Sequence, residues 1–205
     1  MYYCGKTTEE LIGELVSIDS KDFFDLYVKN EEIWYFNNLG KKESIESYYP
    51  KLSSIINEEF SLSNNDFLIV GSAKLGFSLS PRKKFKLFND QESEHQSDID
   101  IAIISSQLFQ ECWESLKALK YKTFVNDYPG VSSNIFRGFV NDKNMNQQIT
   151  LKVRALEMID NCSMNLRDEF GVIEPINFRI YNSWKDLEKY TIDGINQCKR
   201  GQNGI

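Results

Sequence analysis

Four residues have types and spacings that could do chemistry together: Gly71, Ser72, Asp98 and Asp100. The two aspartates are separated by one residue inside an apolar run, SDIDIAII. Side chains alternate across a strand, so both carboxylates point to one side while Ile99, Ile101 and Ile103 point to the other. Aspartate is depleted in strands, so a pair in an isoleucine run calls for a reason. Paired carboxylates hold hard divalent cations, which neutralise phosphate oxygens. Gly71-Ser72 closes the preceding apolar run, Phe67-Leu68-Ile69-Val70. Glycine permits a sharp turn and a close approach by phosphate, and the serine hydroxyl can bind its oxygens. The chemistry suggested is metal-assisted handling of a phosphate. The plain alternative is a strand with two solvent-facing aspartates at its end.

Periodicity supplies the elements that must position these residues. Phe67–Val70 is a short apolar run between turns and predicts a buried strand. Residues 73–79 predict a helical turn or short helix, ended by Pro81. Residues 99–104 predict a second strand. Residues 172–181 predict a third, with Ile176, Phe178 and Ile180 alternating with Asn177, Arg179 and Tyr181. Residues 107–119 predict a helix between them.

Upstream, Thr7-Thr8-Glu9-Glu10 opens a helix carrying Leu11, Ile12, Leu15 and Val16. Ser20-Lys21-Asp22 opens another, with Phe23, Phe24, Leu26 and Tyr27 as its buried face. Residues 34–39 predict a bend closed by Gly40. Residues 44–60 predict a helix interrupted or restarted near Pro50, and a turn follows at Asn64. In the middle, Tyr128-Pro129-Gly130 reads as a turn, residues 134–140 as a short helix and residues 141–146 as a polar loop. Residues 149–166 have the spacing of a long helix stopped by Gly171, although 151–153 also suit a strand. Ser183 with Asp186 caps the last helix, and the final GQNGI reads as frayed.

The expected fold class is α+β (α/β): a small mixed sheet flanked by helices, with further helices at the N-terminus. No repeat or linker stands out, so one domain over 1–205 is expected. Its parts are a helical region at 1–62, a core at 63–182 and a C-terminal helix at 183–205. The 41% apolar content supports a proper core, and a net charge of −6 argues against a surface wholly devoted to nucleic acid. Cys4, Cys112, Cys162 and Cys198 form no C-x-x-C pair. A reduced, cytoplasmic protein is the expectation, with no membrane association.

Candidate cations for a phosphate are Lys74, Arg82, Lys84 and Arg179. Arg82, Lys83, Lys84 and Lys86 are interleaved with Phe85 and Phe88, so they could bind phosphates or a nucleic-acid backbone while the rings stack on bases. Equally, they could form a solvated loop offsetting Asp90, Glu92 and Glu94. His95, the only histidine, could transfer a proton but is more simply incidental. Lys152 and Arg154 lie on different faces of the expected helix, so only one could serve a site.

The order hydrophobic strand, Gly71-Ser72, short helix with Gly76, loop, then Asp98-x-Asp100 in a second hydrophobic strand resembles the nucleotidyltransferase superfamily that includes DNA polymerase β. Compact bacterial nucleotidyltransferases share this pattern. The resemblance covers about 40 residues well. It implies Mg²⁺ or Mn²⁺ held by Asp98 and Asp100, an NTP (ATP first) as substrate, and transfer of its NMP to a protein, an RNA or tRNA end, or a small molecule. The family usually adds a third carboxylate on a later strand. Here that strand offers Asn177, a metal ligand through its amide oxygen but not a base. Glu174 has the opposite parity, and Asp142 is a remoter candidate. This departure leaves a second implication open: a nucleotide-binding or regulatory module acting with a partner protein, as in toxin–antitoxin or phage-defence pairs.

Overall fold

The computed structural model describes residues 2–39, 43–63, 65–83, 85–89 and 96–202. Gly40, Asn64, Lys84, Asp90, Glu92, Glu94, His95 and residues 203–205, about which expectations are stated above, lie outside the described residues.

The fold is α+β. A small antiparallel pair, β1 (Tyr2–Tyr3) and β2 (Lys6–Thr7), precedes α1 (Thr8–Ser17). Thr7 caps α1 in a reciprocal capping box with Glu10. Next come α2 (Ser20–Phe23), which runs on as a π-helical turn over Phe24–Val28, α3 (Trp34–Asn38) and α4 (Ile45–Phe60). β3 (Phe67–Val70) leads through Gly71 into α5 (Ser72–Leu75), and β4 (Ile99–Ile104) leads into α6 (Ser106–Lys120). α7 (Tyr128–Phe136), β5 (Phe139–Asn141), α8 (Asp142–Asn146) and α9 (Arg154–Phe170) follow. β6 (Ile176–Tyr181) and α10 (Trp184–Gln202) complete the chain.

The main sheet has the order β3-β4-β6-β5. β4 and β6 run parallel, while β3 and β5 are antiparallel to their neighbours. The register sets Val70 beside Asp100, Asp100 beside Asn177, and Arg179 beside Asn141. One face therefore carries Asp100, Asn177, Arg179 and Tyr181. The other carries Ile99, Ile101, Ile103, Phe178 and Ile180, all buried. Phe178 packs against Phe60 of α4, and α4 packs against α9. Each such buried side chain contributes about 1.5–3 kcal/mol.

Several local expectations are corrected. Residues 34–38 form a helix rather than a bend, because Trp34, Tyr35 and Phe36 are all buried. Pro50 lies within a continuous α4, whose stripe of Tyr48, Leu52, Ile56 and Phe60 holds both halves against the core. Leu26 and Val16 are exposed. α5 is ended by Gly76 at φ 84°, not by Pro81, which opens a 3₁₀ turn. A Cβ on Gly76 would stand 2.6 Å from the Trp34 indole nitrogen, so this glycine is demanded by packing as well as by backbone.

Tyr128-Pro129-Gly130 starts α7, with Asp127 as its cap and proline in the first turn, where a missing N–H costs nothing. Residues 139–141 are a strand, and Asn141 caps α8 where a loop was expected. Ile149 is exposed ahead of α9, which begins only at Arg154. The third strand is confined to Ile176–Tyr181, after Pro175. Gly171 does end α9, at φ 66°. No helix among the described residues is long and apolar enough to cross a membrane. The four cysteines are free thiols.

Candidate functional site

Gly71, Ser72, Asp98 and Asp100 line one cleft of about 550 Å³. The antiparallel β3–β4 pair brings the end of one strand to the start of the other, so Val70 pairs with Asp100 and Gly71 lies against it. Gly71 adopts φ 70°, ψ −147°, a region open essentially to glycine alone. A Cβ there would lie 3.0 Å from Asp100 Oδ2. Asp98 sits one residue before β4, and Asp100 is its second residue.

Each carboxylate has a partner on a neighbouring element. Asn177 donates its side-chain amide to Asp98 Oδ2 at 2.6 Å, and Lys143 Nζ lies 3.9 Å from the same oxygen. Arg179 approaches Asp100 Oδ1 at 3.6 Å. Burial raises the Asp100 pKa above the usual carboxylate range; Arg179 pulls it back and Asp98 pushes it further. Burial works against the charged Arg179, but Asp100, Tyr181 and Tyr190 together outweigh it and hold its pKa above the ordinary value. The guanidinium is also stacked near Phe139 and Tyr190, its central carbon 5.9 and 5.6 Å from their ring centroids.

Of the expected cations, Arg82 and Arg179 line the cleft, and Lys83 joins them. Lys84 lies outside the described residues. Lys74 is a correction: it points away from the cleft and is 1% exposed. Its amine donates to the backbone oxygens of Asn30 and Glu32 and to Asn30 Oδ1, so it ties α5 to the segment before α3. Burial lowers its pKa to about 7. Phe85 and Phe88 are likewise unavailable for base stacking. Both are buried, Phe85 against Phe77 and Phe88 against Trp34 and Tyr35. Arg154 is engaged with Glu111.

Neither alternative acid completes a triad. Glu174 is buried and accepts hydrogen bonds from the Tyr35 hydroxyl and the Asn89 amide. Asp142 does line the cleft, but its oxygens accept from the backbone N–H groups of Phe178 and Lys143. It pins α8 to β6 and so places Lys143 beside Asp98. Burial raises the Asp142 pKa, and those two backbone bonds oppose the rise. Among the described residues, no group of three or more His, Cys, Asp or Glu side chains comes together to hold a metal. Magnesium, however, is held by one or two carboxylates plus water and substrate oxygens. The carboxylate oxygens of Asp98 and Asp100 fit that requirement, whereas Asn177 presents its amide N–H to Asp98, and its oxygen would join them only with the amide turned.

Sequence reasoning missed Arg137, Lys143, Tyr181 and Tyr190, all of which line the cleft. The signal available for Lys143 was the Asn141 cap followed by an acid, which marks a helix start. Nothing local marked the others. No family model matches the chain, and neither a curated protein nor a solved structure matches it.

Proposed function

We propose that the cleft is a Mg²⁺- or Mn²⁺-dependent nucleotidyltransferase site that moves an NMP from an NTP, ATP first, to an acceptor and releases pyrophosphate. The observation that carries the reading is the convergence of the Gly71-Ser72 turn on the Asp98–Asp100 pair, with Asp100 Oδ2 only 3.0 Å from where a Cβ on Gly71 would stand. Asp98 and Asp100 would hold the ion, with the Asn177 amide turned to present its oxygen. When bound, such an ion neutralises phosphate oxygens and orients the reacting groups. Ser72 offers a hydroxyl beside them. Arg179 and Lys143, already within 4 Å of the carboxylates, supply fixed positive charge. Arg82, Lys83 and Arg137 add cations around the cleft. Transfer of this kind depends mainly on positioning and charge stabilisation.

The test is incubation with α-labelled ATP, Mg²⁺ and cell extract. Label is expected to move to an acceptor, and to stop moving in an Asp98→Ala/Asp100→Ala variant. No transfer by the wild type, or equal transfer by the variant, overturns the reading.

A second reading rests on the Asn177–Asp98 hydrogen bond, which stands where the resemblance implies a third carboxylate. On it, the cleft binds a nucleotide without turning it over, as part of a regulatory module with a partner protein. Calorimetry separates the two: ATP binding without label transfer supports the second, and label transfer removes it.

A further inference from the structure

The cleft does not account for the surface beside it. Helix α7 runs from Tyr128 to Phe136, and its last residue is 96% exposed. The next residue, Arg137, lines the cleft. Asn134 donates to the Asn144 side chain at 2.7 Å, tying this end of α7 to α8, whose Lys143 reaches toward Asp98. At the other end, Tyr128 is half-exposed, and Lys120 Nζ sits 4.6 Å from its ring centroid. Phe124, in the connection between α6 and α7, is 76% exposed, with Lys122 close by in sequence. A row of open aromatic rings and cations thus extends from the end of α6 along α7 to the cleft.

Charge selects the occupant. Between residues 118 and 137 the chain carries two lysines and one arginine, Lys120, Lys122 and Arg137, against one acid, Asp127, in a protein whose net charge is −6; Lys117, just before, is paired with Glu114. Asp127 is spent on the helix start, accepting from the Gly130 N–H and the Asn144 amide. A patch apolar enough to dock a protein would lose affinity through this unbalanced charge unless its partner were strongly acidic. Rings interleaved with unopposed cations match a polymer of aromatic bases joined by phosphates: bases of any sequence stack on the rings, and phosphates lie on the cations. A duplex hides the faces of its bases, so the strand must be single.

We propose that the α7 surface binds single-stranded nucleic acid and leads its end to the cleft at Arg137. This rests on the nucleotidyl-transfer reading only for what becomes of that end; the binding itself stands apart.

Fluorescence anisotropy with short labelled oligo-U and oligo-dT strands tests it on the whole chain. Binding is expected to weaken with added salt, with a log–log slope of about −2, as for a single strand held by about three cations. Phe136→Ala is expected to weaken binding about tenfold. Lys120→Ala/Lys122→Ala is expected to reduce the slope by about 1.4. These side chains stand at the surface, and circular dichroism checks that each variant is folded. No binding at low salt, or binding indifferent to both variants, overturns the proposal. A wild-type dimer in light scattering that Phe136→Asp disperses, without strand binding, would instead assign the surface to a second copy and also overturn it. Calorimetric binding of Mg·ATP is read separately. ATP binding without strand binding leaves the cleft reading standing and sinks this one; strand binding without ATP binding does the reverse.

Discussion

Asn177 of β6 donates its amide to the Asp98 carboxylate across 2.6 Å, joining two parallel strands at the mouth of the cleft. The contact puts a neutral donor where a third acid would complete a metal site. Asn177→Asp replaces that hydrogen bond with like-charge repulsion. With chelator present, the variant is expected to lose about 1–2 kcal/mol, or roughly 3–6 °C in Tm. Saturating Mg²⁺ should reverse the loss and stabilise the variant more than the wild type. Equal Mg²⁺ shifts in the two proteins, read by thermal denaturation, would show that Asp98 and Asn177 do not face a metal.

Arg179 competes with both protons and cations for Asp100. Burial raises the Asp100 pKa, and Arg179 lowers it in opposition. Because the folded value lies above the unfolded one, Asp100 contributes stability at low pH that is lost as pH rises through the folded value. Arg179→Gln removes the opposing charge and moves that value higher. The pH midpoint of Mn²⁺ binding, followed by the resonance of free Mn²⁺, is therefore expected to rise. Binding on the alkaline plateau should hold or tighten, since one repelling cation is gone. A midpoint that stays or falls would contradict this arrangement.

Lys74 makes a different pH signature. Its amine is buried against three oxygens, and burial lowers its pKa to about 7 from 10.5. Above pH 7 the unfolded chain binds the extra proton and the folded chain does not, so stability from this group rises with pH. Cys4, beside it and pushed up to about 11 from 9, acts in the opposite sense only above pH 9. Lys74→Met takes the amine donor from the Asn30 and Glu32 carbonyls, of which Glu32 keeps the Tyr3 hydroxyl at 3.2 Å, at a cost of about 1–3 kcal/mol. The gap in Tm between wild type and variant should widen from pH 7 to pH 9. Parallel Tm curves would count against the low pKa.

Legibility in the sequence followed the range of the interactions involved. The Asp98–Asp100 pair, the isoleucines behind it and the parity of Asn177 with Arg179 were readable because strand alternation is a local rule. Gly71 and the Thr7 and Ser183 caps were readable for the same reason. Lys74 was misread because α5 has only four residues, too few to show which side faces the core. Phe85 and Phe88 looked free beside the lysines, yet they fill space under Phe77, Trp34 and Tyr35. β5 was missed because three residues at the sheet edge carry almost no periodic signal.

By itself, then, the sequence determined that two carboxylates would share one side of a strand next to a glycine turn. Backbone geometry forces that without help from the rest of the chain. Only the tertiary structure decided which groups meet those carboxylates. Asn177 reaches Asp98 across 79 positions, and Lys143 arrives on a helix pinned by Asp142. Register between β4 and β6 sets these meetings, and register is chosen by the packing of Ile101, Ile103, Phe178 and Ile180 in the core beneath.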